Sequence, residues 1–211
     1  MKSLIFLLFC LISLNTYSQS AKFDGHTWTP PYRLPIPDKW TIERFEIPIS
    51  FAPKIAYKGV EDIRFTPGWS KAESEEYWTY AFLWYLEGNP EINSGTISTN
   101  LNAYYTGLIE VNTGNSRTEA EKNMTVTTTF KKTTSELSDL ATYTGTVVMM
   151  DYMQRKPITL YSKVHIRKCA ANNKTVVFHE LSPKPFSHKN WKLLDQLWID
   201  FSCENKKASI Q

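Results

Sequence analysis

Three groups of residues in this 211-residue chain have the types and spacing to do chemistry. The first is Glu61, Asp62 and Arg64. On a strand side chains alternate, so Asp62 and Arg64 share one side and Glu61 faces the other. Arg64 could hold a carboxylate near a ligand; the plainer reading is an ion pair that fixes the turn before Pro67. The second group is His165 with His179. If segments 158–167 and 174–181 pair through the short CAANN loop, odd positions fall on one face. Tyr161, Lys163, His165 and Arg167 then meet Val177 and His179. Two imidazoles and two cations could take an anion or, with a carboxylate, a metal. Metal sites need three or four convergent ligands, and no others can be named, so a polar solvent face is the plainer reading. No metal and no cofactor are expected. The third group is aromatic. Trp28, Tyr32 and Trp69 lie in expected loops, where they could line a ligand cleft or simply cover the core.

No catalytic motif accompanies these groups. The chain has no GxSxG, HExxH, phosphate loop or dinucleotide fingerprint, and no serine stands beside a plausible base with an orienting acid. Asn123 and Asn173 open glycosylation sequons, which matter only in a host that glycosylates.

The N-terminus reads MKSLIFLLFCLISLNTYSQS. Lys2, the apolar run Leu4–Leu14 and the small residues Thr16, Ser18 and Ser20 follow the order of a secretory signal peptide. The run is shorter than the roughly 20 residues that a spanning helix needs. Cleavage after Ser18 is expected, and with it a secreted or periplasmic location. Cys10 lies inside the run without the small neighbours of a lipid-anchor signal. The processed chain would have 193 residues (211 less 18) and, without Lys2, a charge near neutral. That length fits one domain. The basic residues form pairs, such as Lys131–Lys132, and no stripe, which disfavours nucleic acid. No second apolar run suggests a transmembrane segment in the mature chain. Cys169 and Cys203 remain after processing, and an oxidising compartment favours their pairing as a disulfide. Two buried thiols or a reactive cysteine are the rival readings, though neither residue sits in a reactive-thiol signature.

Residues 19–39 form a proline-rich extended arm, with prolines at 30, 31, 35 and 37; Trp28 and Tyr32 favour an arm that wraps the domain. The domain itself is expected over 40–205, with a tail at 206–211. Trp40–Ile49 reads as an edge strand because of Pro48. Gly59–Trp69 holds a short strand and the Pro67–Gly68 turn. Tyr77–Leu86 carries large side chains on both alternating sets and reads as the centre of a sheet. Thr96–Val111 changes to helical spacing, with Ser94 as cap, and a polar loop follows over 113–122. Four strands are expected at 124–131, 141–152, 158–167 and 174–181. A last helix runs from a Ser187 cap to Phe201, with Trp191, Leu194, Trp198 and Phe201 in one stripe. That stripe is expected against the face of Trp78, Tyr80, Phe82 and Trp84.

The implied fold class is α+β, a single domain with an antiparallel sheet covered by helices. This element order resembles PsbP-like domains, which are α/β/α sandwiches. The stretches PDKWTIERFEIPISFAP, GVEDIRFTPGW and YWTYAFLW also resemble the opening of a family of uncharacterised secreted bacterial proteins; that likeness implies no activity. The expected function is a non-catalytic binding or accessory module for an unknown small molecule or protein. The alternative is an extracytoplasmic hydrolase with an unrecognised metal or carboxylate site.

Overall fold

A strand with bulky residues on both alternating sets has no face to give to water, and the segment 80–86 takes the middle of the sheet. The computed structural model describes residues 23–135 and 138–204. Its strands are β1 (Thr41–Ile47), β2 (Gly59–Phe65), β3 (Tyr80–Glu87), β4 (Thr127–Thr133), β5 (Ala141–Asp151), β6 (Lys156–Cys169) and β7 (Lys174–Ser182). They form one seven-stranded sheet in the order β1-β2-β3-β7-β6-β5-β4, with every neighbouring pair antiparallel. Helix α1 (Ser94–Thr113) follows β3, a short α2 (Glu119–Lys122) lies before β4, and α3 (Lys189–Ile199) follows β7. The expected signal segment 1–18 and the tail 206–211 lie outside the described residues. Among the described residues no helix is long and apolar enough to cross a membrane.

Helix α1 is capped one residue before the expected position, by Asn93 instead of Ser94. Asn93 accepts from the backbone N–H groups of Gly95 and Thr96, and the Thr96 hydroxyl accepts from the Asn93 N–H in return. This reciprocal box meets donors that a helix start leaves open. Ile97, Leu101, Tyr104, Tyr105 and Ile109 are its buried stripe. Gly107 lets the 50–55 turn press against the helix, since a Cβ there would lie 1.7 Å from the Phe51 carbonyl oxygen. The expected loop at 113–122 contains a 3-10 turn at 114–116 as well as α2.

Alternation on β3 sorts the core into two layers. Tyr80, Phe82, Trp84 and Leu86 pack with α1. Ala81, Leu83 and Tyr85 pack with Trp191, Leu194, Leu197 and Trp198 of α3, and with Tyr32 and Leu34 of the arm. The stripe of α3 is buried as its spacing implied, but on the opposite face from the one expected. The long helix α1, crossing from the central β3 towards the far edge at β4, already covers the even-numbered side chains. Trp78 is also outside the strand, which begins at Tyr80. Helix α3 is capped by the His188 ring, which accepts from the Asn190 N–H, rather than by Ser187.

The arm docks. Arg64 donates from Nε to the Pro35 carbonyl (2.9 Å) and from Nη2 to the Leu34 carbonyl (3.1 Å). Arg33 and Ser202 exchange two backbone hydrogen bonds. Beside that bridge Cys203 forms a disulfide with Cys169 at the end of β6, with Cα atoms 5.3 Å apart.

Two stability outcomes follow. Trp198 stacks on Phe178 at 5.1 Å, lies under the Arg167 guanidinium at 4.0 Å and donates from its indole to Asp139. Trp198→Ala should cost about 3–5 kcal/mol in denaturant melts, and an unchanged midpoint would remove α3 from the core. The disulfide closes a loop with a sequence separation of 34, so Cys203→Ser should cost roughly 3–4 kcal/mol by chain entropy; a midpoint equal to that of the oxidised parent contradicts the cross-link.

Candidate functional site

Asp62 and Arg64 point to the same face, as alternation required, and both are buried. They do not fix the turn before Pro67. Asp62 accepts from Arg64, from Arg44 Nε (3.0 Å) and from the Tyr32 hydroxyl (3.0 Å). The pair therefore holds the arm, and neither group is open to a ligand. Glu61 faces the α1 layer, fully buried. It accepts from the Tyr104 hydroxyl (2.7 Å) and the Trp84 indole (3.0 Å), and burial pushes its carboxyl up to about 7.

His165 and His179 do not share a face. The register pairs His165 with Phe178 and Val164 with His179. Cys169 pairs with Lys174, so the residues between them are 170–173, an even-length connection that sets odd positions against even ones. Neither imidazole faces solvent. His179 stacks on Phe82 at 4.4 Å and meets Trp84 edge-on at 4.7 Å; burial pushes its pKa down to about 3 and keeps it neutral.

His165 lies in a buried acid–imidazole–acid row. Its Nδ1 is 2.7 Å from Asp139 Oδ2 and its Nε2 is 3.5 Å from Glu180 Oε1. Asp139 also accepts from Thr142, Arg167 and Trp198, and Lys163 bridges Glu180 to Asp195 on α3. Burial opposes the charge on His165, but the two carboxylates outweigh it and raise its pKa to about 9. Burial raises Glu180 to about 7 against the pull of His165. Trp198 and Phe178 lie against the imidazole, so the row joins α3 to the sheet with no opening for a reactant. Among the described residues no group of three or more His, Cys, Asp or Glu is arranged to hold a metal.

The loop aromatics also divide. Tyr32 is buried beside Tyr85 on the α3 face. Trp28 lines an open groove with Tyr85 and Lys174. Trp69 stands on the α1 face, in a separate aromatic pocket of about 230 Å³. That pocket lies between α1 and the β1–β2 side of the sheet. Strand residues Ile63, Phe65 and Tyr80 form its floor, and Tyr104 and Leu108 of α1 form one wall. Trp69, Trp78 and Tyr152 form another, and Glu43 and Asn112 stand at the rim.

Local geometry sets the rings at angles. Phe65 stacks on Trp69 at 4.4 Å, Trp69 meets Trp78 edge-on at 6.4 Å, and Trp78 meets Tyr152 edge-on at 5.2 Å. The turn that joins the two tryptophans is closed by the Trp78 N–H donating to the Trp69 carbonyl (2.8 Å). Trp78 itself has φ of 52°, a left-handed conformation that bulky residues avoid and that concentrates at functional sites. Sequence reasoning found Trp69 but assigned Trp78 to the strand, and missed Glu43, Tyr152 and the Asp139 of the other face. Tyr152 lies in the turn just after β5 and Glu43 sits on an edge strand, so neither position carries a signal of its own.

Three buried groups bind protons more tightly in the folded chain than their ordinary values allow: Glu61 and Glu180, raised from 4.5, and His165, raised from 6.5. The stability this confers is complete at low pH and is lost as pH rises, first through about 7 and then through about 9. His179, lowered to about 3, works in the opposite sense up to its ordinary 6.5, so thermal melts should weaken most clearly from about pH 6.5 to about pH 9.5, the His165 part on the order of 2–3 kcal/mol. Glu61→Gln should flatten the lower limb and spare the upper one. A stability that climbs across this interval contradicts these assignments.

Comparison of the chain with protein-family models, with curated proteins and with solved structures gives no match.

Proposed function

We propose that the protein is a secreted or periplasmic binding module that holds a small molecule in the aromatic pocket, without catalysis. The observation that carries this reading is the pocket itself: rings from the sheet, α1 and the β2–β3 connection converge on one concave space, around a tryptophan held in a strained backbone conformation. Concave, mostly apolar spaces with a few placed polar groups are where small molecules bind. The charged, apolar and small-residue order of the N-terminus and the disulfide support an extracytoplasmic setting. The helix–sheet–helix layering supports a likeness to PsbP-like domains in architecture alone. A hydrolase draws no support from Asp139, His165 and Glu180, whose side chains are buried beneath α3.

Indole N–H resonances test the reading. A panel of small neutral, anionic and cationic compounds is titrated into labelled protein. At least one class should shift the Trp69 and Trp78 signals saturably and leave Trp191 and Trp198, on the far face, in place. Leu108→Trp, which fills the pocket from α1, should abolish the response. A panel that moves neither signal, or that moves all four alike, overturns the proposal.

A further inference from the structure

The chemistry of the pocket narrows its ligand, given the binding reading above. Its lining residues include no lysine, arginine or histidine. Its one charged lining group is Glu43, at the rim, and among the described residues no cation lies within ion-pair distance of that carboxylate. Two further carboxylates stand just behind the walls. Tyr104 donates its hydroxyl to Glu61 (2.7 Å), and Tyr77, next to Trp78, donates to Asp151 (2.7 Å). The Tyr152 phenol registers this field: burial first, then the charges of Asp151 and Glu43, push it up to about 12.

The face of an aromatic ring carries the negative end of its quadrupole, and aromatic residues make up most of this lining. A cation within about 6 Å of such a face is attracted, and the attraction grows when water is excluded. Low-dielectric walls focus the field of Glu43 and Asp151 into the cleft. At about 230 Å³ the space is smaller than the roughly 300–1,000 Å³ of sites for drug-sized ligands. We infer that the pocket is a cage for a small organic cation of the alkylated or quaternary ammonium class. Trp69, Trp78 and Tyr152 supply the aromatic wall and Glu43 the neutralising charge.

Three probes of equal shape separate the charge from the shape: choline, its neutral carbon isostere 3,3-dimethylbutan-1-ol, and the anion 3,3-dimethylbutanoate. Each is titrated while the Trp69 and Trp78 indole signals are followed. Choline should bind saturably and at least about tenfold more tightly than the alcohol, and the anion should not bind. Glu43→Gln should weaken choline by roughly three- to tenfold and leave the alcohol unchanged. An alcohol that binds as tightly as choline overturns the cation assignment while leaving the small-molecule pocket intact. If none of the three shifts the two signals, the cation assignment also fails, and the neutral compounds of the wider panel then judge the pocket separately.

Discussion

Strand β3 is buried at every position from Tyr80 to Leu86, and a strand with no wet face needs a layer on each side. The other elements answer that requirement. Helix α1 covers the even-numbered side chains. On the other face α3 reaches Leu83 and Phe178, and the arm reaches Tyr85 through Tyr32. The burial of apolar area on both sides supplies most of the drive to fold. It also explains why the two layers are both aromatic, since wide rings bridge the distance between a sheet and a helix.

Covering both faces strands polar groups in the interior, and the two layers handle them differently. On the α3 side Asp62 and Asp139 each gather several donors, including guanidinium groups. A buried charge with partners on several elements contributes little net energy, yet loss of one partner leaves it uncompensated. Such clusters therefore fix which segment docks where: the arm at Asp62, α3 at Asp139 and Lys163. On the α1 side Glu61 is met by a phenol and an indole, with no cation. Burial answers there by raising the carboxyl to about 7, so that a proton takes the place of a partner cation.

Periodicity made the two long helices, the edge strand and the doubly covered centre legible in the sequence, because each depends on local spacing. Cys169 and Cys203 were legible by count and compartment. What failed depends on parity and on distance along the chain. One residue more or less in the 169–174 connection decides whether His165 and His179 meet or lie on opposite faces. Which helix takes which face follows from the crossover of α1, not from the stripe of α3. The pocket draws on residues from Glu43 to Tyr152, and its sharpest feature, the left-handed Trp78, runs against the alternation that placed it in a strand.

The disulfide has a mechanical meaning. It makes residues 169–203 a closed covalent ring that contains β7 and α3. Tension arriving from beyond Cys203 passes across the sulfur bridge into the end of β6. The covalent path then bypasses β7 and α3, which lie within the ring. Reduction of the bridge leaves the backbone of α3 and β7 as the only covalent route, so the redox state decides whether a pull on the chain runs through the helix and the central strand or around them.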